Sequence, residues 1–248
     1  MPSVAVIIPA AGQSSRFGGA EKKPFVSLDG RPVWLRSAEL FWNRPDVSRV
    51  YLVVAPGDRD DFRGRFGHLT TFANVELVDG GAERFESVAN ALARVPAETP
   101  LVAVHDAVRP LGTPALIDAV FAAATAHGAA LLAVPVADTL KRVEADTNRV
   151  TATTPRAGLW QAQTPQVFRR DWLLDAYARR TTVPPPVTDD AQLVEAAGYP
   201  VVVVPGAVTN FKITTRDDLA LAELILRGRA GAREADRPAQ RFGDDAEW

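Results

Sequence analysis

The sequence predicts an α/β protein: a single Rossmann-like domain with a mostly parallel sheet flanked by helices and a projecting β-hairpin. Three observations carry this. Short apolar runs rich in β-branched residues alternate with amphipathic stretches of helical period, which indicates a parallel sheet covered on both faces. The first such run, VAVII at 4–8, leads straight into a loop of small residues. The alternation breaks once, at residues 138–154, where two short extended stretches flank a polar turn.

The 248 residues are 47% hydrophobic and 23% charged, an ordinary globular balance. The net charge of -2 gives no global basic field, so nucleic acid is not an expected partner. No apolar run approaches bilayer length, so a membrane is not expected either. The absence of cysteine removes disulfides, thiolate metal sites and cysteine nucleophiles. It fits a reducing compartment, and a cytoplasmic location is expected.

Residues 4–8 read as a buried strand. Pro9, Ala10, Ala11 and Gly12 follow, then Arg16, Gly18-Gly19, Lys22 and Lys23. Small residues let backbone approach a ligand and turn N–H groups toward an anion. Two separated cations complete a phosphate-handling loop. It is neither GxGxxG nor GxxxxGK[ST]. A helix is expected from Pro32 to Phe41, a strand over 50–54, and a short helix from Asp58 to Phe66. A strand over 74–78 runs into Gly80-Gly81, followed by the helical pattern Phe85, Val88, Ala89, Leu92, Val95. That glycine pair is either a second anion seat at a helix start, with Arg84 and Ser87 in its first turns, or a tight turn beside a surface cation.

A strand over 101–104 ends in His105-Asp106-Ala107-Val108-Arg109-Pro110. Ligands of open α/β sheets gather at such carboxyl ends. Asp106 there either faces a phosphate-bound Mg²⁺ or nucleotide, or pairs with Arg109 to fix the turn. His105 reads as a packed, hydrogen-bonded side chain. An alanine-rich helix over 114–126, a strand over 129–134 and the hairpin follow. Residues 156–168 are assigned no element. A helix bears Trp172, Leu173, Leu174 and Tyr177, and a proline-rich connection covers 181–187. Thr188-Asp189-Asp190 caps a helix ending at Gly198. A strand over 201–204 and a helix from 217 to about 227 close the domain, which spans 1–227 with its β-arm at about 138–156. Residues 228–248 read as a disordered or loosely attached tail.

The chain resembles the 2-C-methyl-D-erythritol 4-phosphate cytidylyltransferase family of nucleotidyltransferases. The resemblance runs through PAAGQSSRFG (9–18), Lys23, DGGAERFESV (79–88), VHDAVRP (104–110) and PVADTLKRV (135–143). It continues in LWQAQTPQVF (159–168), TDDAQLVEAAG (188–198) and NFKITTRDDLALAE (210–223). It implies a homodimer in which each hairpin reaches the other subunit. It implies CTP binding by Pro9, Ala10, Ala11, Gly12, Gly80, Gly81, Ser87, Asp106 and Ala107. Methylerythritol phosphate is then bound by Arg109, Thr139, Arg156, Thr164, Thr188 and Lys212, with Arg156 supplied by the neighbouring subunit. The catalytic cations are Arg16, Lys23, Arg156 and Lys212. Lys23 is chosen over Lys22 by its distance to Phe25.

The implied reaction is attack of a substrate phosphate oxygen on the CTP α-phosphorus, expelling pyrophosphate. That nucleophile is already anionic, so no protein base is needed, and fixed positive charge does the catalysis. Mg²⁺ is the expected cofactor, bridging triphosphate oxygens and touching Asp106 through water. The alternative is ribitol-5-phosphate cytidylyltransferase chemistry on the same fold. A non-catalytic nucleotide-binding regulator would lack a catalytic cation, and all four are present.

Overall fold

The structure is a computed structural model that describes residues 2–12, 23–72, 74–184 and 186–235. Strand β1 (Val4–Pro9) is buried along its apolar run and lies near the middle of a seven-stranded sheet. The remaining sheet strands are β4 (Val47–Val54), β5 (Val75–Asp79), β6 (Leu101–Val104), β7 (Ala129–Pro135), β10 (Trp160–Arg169) and β11 (Val202–Pro205). Their order is β11-β7-β10-β6-β1-β4-β5, and every pairing is parallel except the two made by β10. Two short strands, β2 (Ser27–Leu28) and β3 (Arg31–Pro32), turn about Asp29 and Gly30, both at positive φ.

The period of two along β1 divides the core. Val4, Val6 and Ile8 face one layer, built by Trp34 of α1 (Val33–Glu39), Phe62 and Phe66 of α2 (Arg59–Phe72), and Ile117 and Phe121 of α4 (Pro114–His127). Ala5 and Ile7 face the other. That layer holds Val88 and Leu92 of α3 (Arg84–Leu92), Leu173 of α5 (Arg170–Ala178) and Val194 of α6 (Asp190–Ala196). A smaller cluster seats Ile213 and Ala222 against Leu28, Val33, Val108 and Leu111. It draws the segment before α7 (Arg216–Ala235) onto the turn after β6, where the Ile213 amide donates to the Val108 carbonyl at 2.9 Å.

The hairpin forms as expected, from β8 (Leu140–Val143) and β9 (Val150–Thr154), as a two-stranded sheet of its own. Three features depart from expectation. The stretch left without an element is β10, a ten-residue strand. Its buried half contains Gln163, Thr164 and Gln166, so no apolar run announces it, and the register shifts between Ala162 and Gln166. Helix α2 continues past Phe66 to Phe72. Helix α7 continues past Arg227 to Ala235, so the start of the expected loose tail is helical. Arg229 anchors it, donating to the Leu111 carbonyl at 2.9 Å.

Helix α4 shows how local sequence sets an element's ends. Thr113 caps its first turn by accepting the Leu116 amide, Pro114 opens it, and Gly128 closes it at φ 88°. A Cβ on Gly128 would lie 2.3 Å from the Trp172 ring. Gly128→Ala combines a left-handed backbone with a ring collision, and should lower unfolding free energy by at least about 2 kcal/mol in urea titrations.

Candidate active site

Three loops leave the carboxyl ends of β1, β5 and β6 and enclose a cleft. Pro9, Ala10, Ala11 and Gly12 line one wall. Gly81, Ala82, Glu83, Arg84 and Ser87 line a second, Asp106, Ala107 and Val108 a third, and Lys212 and Pro24 complete it. The first two loops hang from the end of β4. The Ala10 amide donates to the Val53 carbonyl at 2.7 Å, and the Gly80 amide to the Val54 carbonyl at 2.8 Å. They meet so closely that a Cβ on Gly80 would lie 2.7 Å from Ala11 Cβ and 3.0 Å from Ser87 Oγ. Gly80 is therefore required for the close approach of the two loops, and Gly81 for that of Glu86, whose Cβ would lie 2.3 Å from a Cβ there.

Helix α3 begins in a capping box between Glu83 and Glu86. Ser87 Oγ accepts the Gly81 amide at 3.1 Å and donates to the Glu83 carbonyl at 3.2 Å. The hydroxyl expected to bind nucleotide thus holds the loop that borders the cleft.

The turn after β6 is fixed by a directional chain. The Asp106 amide donates to Thr164 Oγ1 at 3.0 Å, and Thr164 Oγ1 stands 3.2 Å from His105 Nδ1. His105 Nε2 lies 3.0 Å from the Arg109 carbonyl, which only accepts. Nε2 therefore carries the proton, and Nδ1 accepts from the threonine hydroxyl. Burial pushes the imidazole down to about 4, so His105 is neutral and structural. Thr164, expected to touch substrate, spends its hydroxyl in this chain.

Asp106 is the electrostatic hub. Its Oδ2 receives Lys212 Nζ at 3.1 Å and Arg109 Nε at 3.2 Å, while Oδ1 faces Arg84 at 4.0 Å. Burial favours the neutral acid, but Lys212, Arg84 and Arg109 overcome it and hold the carboxyl well below the usual carboxylate range. Arg109 also donates to the carbonyls of Asn210 at 2.8 Å and Ala162 at 3.4 Å. It thus pairs with Asp106 and ties the turn to two neighbouring segments. Lys212, with a side chain 40% exposed, remains open to the cleft.

Arg84, left open in the sequence between an anion seat and a surface cation, lines the cleft. Its guanidinium donates to buried Asp190 at 2.8 Å. Burial opposes its charge, yet Asp190 and Asp106 together raise its basicity above the ordinary value. The available signal was its position three residues after the glycine pair, at a helix start. Its partner lies on α6, far along the chain.

Of the remaining expected residues, Thr139 and Arg156 are exposed on the hairpin side and are not among those lining the cleft. Thr188 is exposed, and both its amide and hydroxyl donate to Gln192 Oε1. Arg16, Lys22 and the side chain of Lys23 lie outside the described residues. No group of three or more His, Asp or Glu close enough to hold a metal occurs among the described residues.

The family model described as 2-C-methyl-D-erythritol 4-phosphate cytidylyltransferase matches residues 4–228. A protein of that name from Frankia casuarinae is 45% identical, covering 91% of this chain and 82% of its own. One from Dechloromonas aromatica is also 45% identical, covering 92% and 100%. A crystal structure titled for the same enzyme from Thermus thermophilus superposes with a TM-score of 0.73 at 34% identity, over 89% of this chain and 98% of that one.

The His105 environment sets a pH signature. The imidazole titrates near 4 when folded and near 6.5 in the unfolded chain, so the unfolded state binds the extra proton between those values. Stability present above the unfolded value is lost as pH falls toward the folded one, by about 3 kcal/mol. Urea titrations from pH 7 to pH 4.5 should show this slope in the wild type, and His105→Gln should lack that component.

Proposed function

The chain belongs to the 2-C-methyl-D-erythritol 4-phosphate cytidylyltransferase family, and from that premise we propose how its cleft performs the family reaction. The protein is a nucleotidyltransferase that joins CTP and 2-C-methyl-D-erythritol 4-phosphate, giving 4-diphosphocytidyl-2-C-methyl-D-erythritol and pyrophosphate. The observation that carries the residue-level reading is Lys212 on Asp106, in a cleft bordered by two close-packed small-residue loops.

CTP lies along the loops after β1 and β5, where small residues admit the triphosphate close to backbone. Lys212 leaves Asp106 for the phosphate of the acceptor, whose negative charge outweighs one carboxylate. Asp106 keeps Arg109 when this happens, so the buried carboxylate is never stripped of a counter-charge. The acceptor phosphate attacks the α-phosphorus as an anion, the bond to pyrophosphate breaks, and no side chain moves a proton. Arg16 and Lys23 stabilise the charge that gathers on the α-phosphate and leaving group, Arg16 as a planar fork and Lys23 as a point charge.

Mg²⁺ fits this cleft in a limited way. Both hydrogen bonds to the Asp106 carboxylate fall on Oδ2, so Oδ1, 4.0 Å from Arg84, is the oxygen that would meet an ion held mainly by phosphate oxygens and water. When bound, the ion supplies charge neutralisation across the triphosphate.

The working unit in this reading is a homodimer. The hairpin is separate from the main sheet, and Val143 and Val150 on it, with Leu159 and Trp160 beside it, are each at least 40% exposed. Arg156 and Thr139, which do not line their own cleft, then serve the neighbour's. Cytoplasmic residence completes the reading, in keeping with a cysteine-free chain in which no described helix is long and apolar enough to cross a membrane.

Purified protein with CTP and Mg²⁺ should release pyrophosphate when methylerythritol 4-phosphate is added. Lys212→Met and Arg16→Met should each reduce kcat/KM by roughly 10²-fold, the loss typical of one charge-stabilising donor. Release with ribitol 5-phosphate and not with methylerythritol 4-phosphate would overturn the acceptor assignment.

A further inference from the structure

The Thr188-Asp189-Asp190 block supplies no residue to the cleft lining, yet it is bolted to the sheet with unusual care. Gln166 of β10, 1% exposed, does this with both ends of its amide. Its Nε2 donates to Asp189 Oδ2 at 2.8 Å, and its Oε1 accepts the Ala191 amide at 3.0 Å. Asp189 Oδ1 also accepts the Gln192 amide at 3.0 Å, closing the first turn of α6.

This clamp leaves Asp190 pointing inward, 1% exposed. Both its oxygens are engaged. Tyr177 donates its hydroxyl to Oδ1 at 2.5 Å, and Arg84 donates to Oδ2 at 2.8 Å. Arg84 in turn lines the cleft, with a side chain 35% exposed and 4.0 Å from Asp106 Oδ1. Burying a carboxylate this deeply is costly, and an apolar residue in its place would serve packing better. What the carboxylate does that an apolar side chain cannot is hold a guanidinium at a chosen place.

We propose that Asp190 and Tyr177 are positioning residues for the nucleotide half of the reaction: they hold Arg84 in the cleft wall, 4.0 Å from Asp106 Oδ1 and away from its Oδ2. The proposal rests on the reading of this cleft as the CTP site. Tyr177 fixes the carboxylate, the carboxylate fixes Arg84, and Arg84 presents positive charge on the wall formed by the loop after β5. The same tether leaves Oδ2 of Asp106 to Lys212 and Arg109. With Asp190 neutral, the nearest carboxylate to Arg84 is Asp106. The guanidinium then leaves the wall and competes with Lys212.

The test uses the intact protein and measures KM for CTP and for methylerythritol 4-phosphate separately, with urea midpoints alongside. Tyr177→Phe should stay folded and raise KM for CTP about tenfold, the scale of one lost hydrogen bond to a charged group, with KM for the acceptor unchanged. Asp190→Asn should raise it further. Asp190→Asn combined with Arg84→Lys should be no worse than the more affected single variant, because both act through one guanidinium. Folded Tyr177→Phe with an unchanged KM for CTP would overturn the proposal. So would equal rises in both KM values, or additive effects in the double variant. A wild-type protein that releases no pyrophosphate from CTP would instead sink the functional reading.

Discussion

The structure depends on one buried carboxylate. Asp106 sits where β6 ends, and three cations converge on it: Arg109 three residues on, Arg84 at the start of α3, and Lys212 before α7. A carboxylate at that depth is tolerated only with such company. The loops that supply the company are the ones that enclose the cleft. Charge balance and cleft shape are therefore a single constraint, satisfied by one arrangement of β6, α3 and the 210–213 segment.

Around this hub the fold works mostly through backbone. The two loops after β1 and β5 hang from consecutive carbonyls of β4, so their separation is set by one peptide unit of that strand. Gly80 permits that closeness, and Ser87 and the capping box keep it. The turn after β6 is held by a chain of hydrogen bonds through Thr164 and a neutral His105. The side chains left for chemistry are few because most polar groups near the cleft are occupied in shaping it.

Much of this was legible in the sequence where physics is local. The apolar runs at 4–8, 101–104 and 129–134 became strands close to their expected limits, because burial on both faces leaves a continuous hydrophobic signature. Thr113, Pro114 and Gly128 marked the ends of α4. Legibility failed where long-range partners decide. Strand β10 was hidden because its buried polar residues are satisfied by groups such as Asn210, Asp189 and His105, none near it in sequence. Arg84 stayed open between an anion seat and a surface cation because the carboxylate that holds it, Asp190, lies 106 positions away. The scaffold bonds of Arg109 and Thr164 were equally hidden, since a motif's spacing does not reveal which distant groups its polar side chains meet.

The displaced titrations around the cleft have a joint consequence. His105 is neutral and Asp106 ionised throughout the neutral range, and Arg84 is held charged above its already high ordinary value. These groups neither take up nor release protons as the surrounding acidity drifts, so the wall they form presents a constant face. Within the cleft, the response to acidity near neutrality then comes from the ionisable phosphates of the reactants, and the second ionisation of the acceptor phosphate decides how good a nucleophile arrives. The protein acts as a fixed electrostatic mould, and the reacting molecules carry the proton sensitivity themselves.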